Sequence, residues 1–217
     1  DFSDDQKSLK DSARKFLTDK CSTAEVRKVL NNDEVAYHAD LWTGVAEMGW
    51  LGAAIPEEFG GLGLGALELC VIAEEMGRAV APVPFASTAY FFAEGIMVAG
   101  SKDQKETLLP AVAAGELIGA LAISEGPGAA TAASIKTTFN GSTVSGTKIP
   151  VTDGDIADKA IVVAREGSGI SMVLVDLRGP GVTRTVLKTL DPTRSHAEII
   201  FDNAPGERLG EAGQGWN

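Results

Sequence analysis

Along the first hundred positions apolar residues recur every three or four places. Leu9, Ala13, Phe16 and Leu17 make one such stripe, and Leu41, Val45 and Met48 make a second that Gly49 stops. The stretch "ALELCVIAEEMGRA" (66–79) is apolar on most sides and predicts a buried third helix, and "PFASTAYFFAEGIMVAG" (84–100) predicts a fourth. Ser3…Gln6 and Ser101…Gln104 have capping-box spacing, in which the serine accepts from the third amide and the glutamine reaches back. They open the first and fifth helices, the latter running through Leu108 and Leu109 toward Pro110. After about Gly115 the period shortens to two. The runs "LIGALAIS", "SIKTTF", "KAIVVARE", "GISMVLVDL", "VTRTVLK" and "HAEIIFD" predict short strands, and Asn140-Gly141 is a hairpin-turn signal. Helices followed by strands, without βαβ alternation, predict an α+β multidomain protein. Residues 1–115 form an N-terminal α-helical domain and residues 116–217 an antiparallel β-barrel or sandwich domain.

Composition narrows the partners. Across 217 residues, 44% hydrophobic and 23% charged content are globular values, and a net charge of −11 repels phosphate backbones and anionic lipid. Nucleic acid and membrane are therefore excluded as expected partners, while a small anionic ligand can still be held by backbone N–H groups. No apolar run approaches the roughly 18 residues of a membrane span, and the opening "DFSDDQKSLK" lacks a secretory pattern. Cys21 and Cys70 have neither metal-ligand nor disulfide spacing and read as inert buried thiols. That usage predicts a cytoplasmic protein, or a mitochondrial-matrix one if a leader was removed.

Few residues carry obvious chemistry. Gly61, Gly63 and Ala66 match a dinucleotide fingerprint, but they lie between helices without a βαβ unit and read as a linker. His38 and His196 have no companions that spell a metal site, and none is expected. The charges of "AEEMGR" read as a solvated helix edge. The distinctive connection is "SEGPGAAT" (124–131), so poor in side chains that its backbone N–H groups can approach a bulky anion. "KIPVTDGDIAD" (148–158) ends another strand in a polar turn, so Ser124 and Thr152 can present hydroxyls at a common sheet end.

These segments, in this order, resemble the acyl-CoA dehydrogenase family of FAD flavoproteins. "GWLGAAIPEEFGGLGLGALELCVIAEEMGR" is similar to its helix-loop-helix signature and "LAISEGPGAATAASIKTTF" to its TEPGAGSD-type flavin loop. "VSGTKIPVTDGDIADKAIVVAR" is similar to its G-x-K-x-W-I-T-N segment, and "FDNAPGERLGEAGQGW" to the stretch leading into its C-terminal helical bundle.

The resemblance implies α,β-desaturation of an acyl-CoA thioester, FAD as cofactor and electron-transfer flavoprotein as electron acceptor. It also implies a homo- or hetero-oligomer. It places Ser124 at the pyrimidine end of the flavin, with Leu121 and Ile123 on the same flavin-side strand. Thr152 stands at flavin N5, and Ala129 and Ala130 at the FAD pyrophosphate, Ala130 also at the pantetheine of the substrate. Three departures follow. Ala129-Ala130-Thr131 replaces the family's Gly-Ser-Asp, and Pro150 replaces the Trp that packs on the flavin. The family's glutamate base belongs to a C-terminal four-helix domain beyond Asn217, so no catalytic residue is assigned in this chain. Two alternatives stay open: a non-catalytic subunit of a heteromeric dehydrogenase, and flavin monooxygenase or nitroalkane-oxidising chemistry on the same scaffold.

Overall fold

The first residues set the pattern. Ser3 Oγ accepts from Gln6 N while Gln6 Oε1 accepts from Ser3 N, and helix α1 (Asp4–Lys20) runs from that box with Ala13 and Leu17 buried. In the computed structural model, which describes residues 2–32 and 34–216, five further α-helices follow. They are α2 (Thr23–Leu30), α3 (Ala39–Glu47), α4 (Ala66–Ala79), α5 (Glu94–Ala99) and α6 (Lys102–Ala113). An eight-residue π-helix, Ala86–Ala93, leads directly into α5. The second capping box, Ser101 with Gln104, opens α6 as expected.

Four local expectations need correction. Pro110 does not end α6: it lies within the last turn, where it removes one intrahelical donor, and burial of Leu109 and Val112 holds the helix on. Helix α2 has no long apolar stripe, but Ser22 Oγ caps it through Glu25 N and Val26 and Val29 are buried. Helix α4 buries one face only, that of Val71, Ile72, Glu75 and Met76, and packs on α1. Leu67 is 50% exposed, and Cys70 is exposed rather than an inert buried thiol. Finally, Glu75 is no solvated edge. It is fully buried and accepts from Arg14 (2.7 and 3.0 Å) and from Arg78 (2.7 Å), tying α1 to α4.

The strands are β1 (Gly119–Ala122), β2 (Thr138–Phe139), β3 (Thr143–Thr152), β4 (Lys159–Glu166), β5 (Gly169–Asp176), β6 (Val182–Val186) and β7 (His196–Leu209). The sheet order is β1-β4-β2-β3-β7-β5, with β6 on β7, and a further β4–β5 pairing closes it into a barrel. Pairing is antiparallel except at β4, which runs parallel to β1 and to β2. Asn140 and Gly141 turn β2 into β3: Asn140 Oδ1 accepts from Ser142 N and Thr143 N, and Gly141 has φ +94.

Strand β4 shows why its run lacks polar alternation. Ala160, Val162 and Ala164 belong to the core inside the barrel, whereas Ile161 packs outward with Phe92, Ile96, Leu109 and Leu174. Helices therefore cover the outer face of the barrel at β1 and β4. Contact is close: a Cβ on Gly119 would sit 2.1 Å from the Phe92 ring. Ser87, Thr88 and Ala89 of the π-helix are buried along the same seam, where the Thr88 hydroxyl donates to Gly119 O and accepts from Gly119 N. Among the described residues no helix is long and apolar enough to cross a membrane.

Two outcomes are expected. Gly119→Ala should destabilise the protein by about 2 kcal/mol in urea unfolding, through overpacking against Phe92. The hydrogen bonds from Arg14 outweigh burial and, with those from Arg78, hold the Glu75 carboxyl down to about 2 from its usual 4.5. Its contribution is thus complete above pH 4.5 and lost as pH falls toward 2. Glu75→Gln should lose about 2 kcal/mol at neutral pH and much less at low pH, and equal losses at both would refute this account.

Candidate functional site

The side-chain-poor connection leaves β1 at Ile123 and is knitted to β3 by its backbone. Ile149 N donates to Ser124 O at 2.8 Å and Gly126 N donates to Ile149 O at 2.9 Å, a parallel bridge centred on Glu125 and Ile149. Beyond Gly126 the chain is free of such ties. The N–H groups of Gly128, Ala129 and Ala130 make no hydrogen bond among the described residues. Gly128 has φ +100, and a Cβ there would meet nothing within 4 Å. The result is a cleft of about 220 Å3 lined by Ser124, Gly126, Gly128, Ala129, Ala130 and Lys136.

An ion pair anchors this rim. Lys148, fully buried, donates to Glu125 Oε1 at 2.8 Å and to Ile123 O at 3.0 Å, while Glu125 also accepts from Lys136 N and Thr137 N. Burial alone would raise the Glu125 carboxyl, but these donors outweigh it and hold it at about 2. Burial pushes the Lys148 ammonium down, and the Glu125 carboxylate only partly opposes it. Both groups stay charged on geometric grounds, since each is bonded directly to the other. The anchor reaches both ends of the connection, before Ser124 and after Ser134.

The predicted site residues fall into two groups. Ser124, Ala129 and Ala130 line one cleft, and the Ser124 hydroxyl has no hydrogen-bond partner among the described residues. Leu121 and Ile123 share a face but pack, partly buried, against the small cluster of Ile135, Val163 and Ile170. Pro150 is exposed, follows a cis peptide bond and lines no described cavity. Thr152 ends β3 opposite His196 of β7, and its hydroxyl also has no partner among the described residues. His38 is the N-cap of α3, accepting from Leu41 N, and Gly61 and Gly63 lie between a short 3-10 turn and α4, which Ala66 opens.

Sequence reading missed a second knot, immediately after Thr152. Asp153, with φ +56 and its side chain 3% exposed, accepts from Ser87 Oγ at 2.5 Å and from Arg194 Nη2. Burial lifts its carboxyl above the usual range, and Arg194 and Ser87 oppose that rise. Arg184 Nη1 caps the carbonyls of Asp155 and Ala157 in the same turn. The signal was present in "TDG", where a polar residue precedes glycine at a strand end, but nothing local named Arg194 as its partner.

Known proteins share the sequence pattern and the fold. The model of the acyl-CoA dehydrogenase N-terminal domain matches residues 3–116, and that of the acyl-CoA dehydrogenase middle domain matches residues 120–204. Mitochondrial isovaleryl-CoA dehydrogenase of Solanum tuberosum is 30% identical over 99% of this chain and 56% of its own length. An acyl-CoA dehydrogenase of Bacillus anthracis solved in complex with FAD is 28% identical, with a TM-score of 0.86 over 99% of this chain and 39% of the other. The ChsE4-ChsE5 complex of Mycobacterium tuberculosis gives 26% identity and a TM-score of 0.84 over 100% of this chain and 59% of the other. The chain thus spans about half the length of the curated relatives it matches. The two domain models together cover most of the chain, and the chain belongs to the acyl-CoA dehydrogenase family.

Proposed function

We propose that this chain supplies the flavin-holding portion of an FAD-dependent acyl-CoA dehydrogenase, with residues 1–115 as its helical domain and 116–217 as its β-domain. The observation that carries the reading is the row of unpaired N–H groups at Gly128, Ala129 and Ala130, beside open space and a free Ser124 hydroxyl. A pyrophosphate needs such donors, and a side chain at Gly128 would stand in its way. The residues present therefore fit the group.

In this reading Ser124 donates to the flavin pyrimidine, Thr152 approaches N5, and the 128–130 backbone meets the pyrophosphate. Leu121 and Ile123 back the rim. Ala130 lies against the substrate's pantetheine through its main chain only, having no hydroxyl to offer. Pro150 presents a small puckered aliphatic ring where an aromatic side chain would give more contact. When bound, FAD supplies the two-electron oxidation that turns the saturated acyl thioester into its α,β-unsaturated product. The chain's own part is to orient the ring and exclude water. The proton-abstracting base is not assigned to any residue of this chain, and Glu125 is unsuitable because Lys148 and two backbone amides engage it.

A second reading has its own support. Ala129, Ala130 and Pro150 together give up a hydroxyl and an aromatic contact, as suits a subunit that shapes a site whose flavin a partner holds. The ChsE4-ChsE5 neighbour is a complex of two different chains. An electron-transfer flavoprotein as acceptor and an oligomeric assembly belong to the proposal in either form.

Protein expressed from the complete gene and purified alone should take up one FAD per subunit and lose its yellow absorbance with an acyl-CoA. Flavin retained only beside a second gene product favours the heteromeric reading, and no flavin in either preparation refutes both. Ser124→Ala and Thr152→Val should each weaken FAD binding about tenfold, the worth of one hydrogen bond, by fluorescence titration. Lys148→Met should lower unfolding stability by about 3–5 kcal/mol, because it strands the Glu125 charge, and should weaken FAD binding with it.

A further inference from the structure

A separate cavity of about 340 Å3 lies where α4, the residues after it, the π-helix and the turn before β7 meet. Its walls are apolar: Met76, Val80, Val83 and Phe85, with the ring of Tyr90 set edge-on to Phe85. One charged side chain lines it, that of Arg194. Arg194 Nη1 donates to Val83 O at 2.8 Å and Nη2 to the Asp153 carboxylate. A guanidinium carries five N–H groups, so donors remain beyond those two.

The charge of this wall is what matters. Asp153 neutralises Arg194, and burial pushes the Tyr90 hydroxyl far up in pKa, so it adds no charge. A carboxylate entering the cavity would lose its hydration and gain no net positive field, with Asp153 close behind the guanidinium. An uncharged oxygen loses little hydration and still accepts a charge-assisted hydrogen bond. Arg194 in the cavity wall is bonded to Asp153, which directly follows Thr152 at the proposed flavin-facing strand end. We infer that this cavity receives an acyl group bearing an uncharged oxygen, a ketone or hydroxyl, which accepts from Arg194. The inference rests on the acyl-thioester reading above and adds a substrate class to it.

Calorimetry on the flavin-loaded protein from the complete gene tests this with matched thioesters. The probes are decanoyl-CoA, a set of decanoyl-CoA derivatives with a keto group at successive carbons, and the mono-CoA thioester of decanedioic acid. At least one keto derivative should bind about tenfold tighter than decanoyl-CoA, as one charge-assisted bond provides, and the diacid should bind more weakly. In Asp153→Asn the amide oxygen still accepts from Arg194 while the guanidinium charge is unbalanced. The diacid should then gain about tenfold relative to the best keto derivative. The inference is overturned if no keto derivative exceeds decanoyl-CoA, if the wild type prefers the diacid, or if Asp153→Asn leaves the ratio unchanged. Should that variant not fold, the wild-type ranking decides alone. Equal binding by every thioester defeats this inference only, whereas absence of binding by all of them defeats the acyl-thioester reading as well.

Discussion

Strand β4 has to be covered twice, and the rest of the molecule is arranged around that constraint. Ala160, Val162 and Ala164 turn inward to the barrel core while Ile161 points the other way, into a layer formed by the π-helix, α5 and α6. Burying one large aliphatic side chain contributes about 1.5–3 kcal/mol, and leaving Ile161 in water would forfeit it. Helices and barrel therefore share one continuous core, with Val83, Phe85 and Ala89 in the same cluster as Ile118 and Ala120. The seam is tight enough to require glycine at position 119 beneath Phe92. Since β1 pairs with β4 through Gly119–Ala122, the connection that follows it starts from a fixed point.

Three buried charges then pin segments that are far apart in sequence. Glu75 joins α1 to α4, Lys148 joins β3 through Glu125 to both arms of the Ser124–Ser134 connection, and Asp153 joins the end of β3 to the π-helix and the turn before β7. Each is multiply bonded, as burial demands, because an unpaired ion inside a protein is several kcal/mol less stable than one in water. Such pairs add little net stability compared with apolar replacements, and their effect is positional. Exposed pairs such as Lys7–Asp4 contribute at most about 1 kcal/mol and fix nothing distant.

The two cavities differ in kind for this reason. The cleft at Ser124–Lys136 is built from main chain whose donors are unspent, suited to a diffuse anion that needs several weak contacts at once. The cavity at Arg194 is built from side chains around a neutral ion pair, suited to an apolar body with one polar atom. Strand β3 joins them, since Ile149 holds the first rim and Asp153 the second.

Local chemistry was enough to establish the sequence of elements. Both capping boxes, the change of period after Gly115, the turn at Asn140-Gly141 and the bare segment at 124–131 are short-range signals, and each residue there acts within a few positions of itself. Closure of the barrel was open between sandwich and barrel, because β4–β5 pairing involves no pattern that differs between the two. The site was half visible for the same reason. Ser124, Ala129 and Ala130 meet because they are neighbours in the chain, whereas Lys148 with Glu125 and Asp153 with Arg194 meet only when β3 closes against β1 and β7. Glu75 looked like surface because charge predicts solvent until two arginines, one of them from another helix, arrive to cover it. Spacing determined what each segment is, and burial, which depends on what lies opposite, decided which of its charges matter.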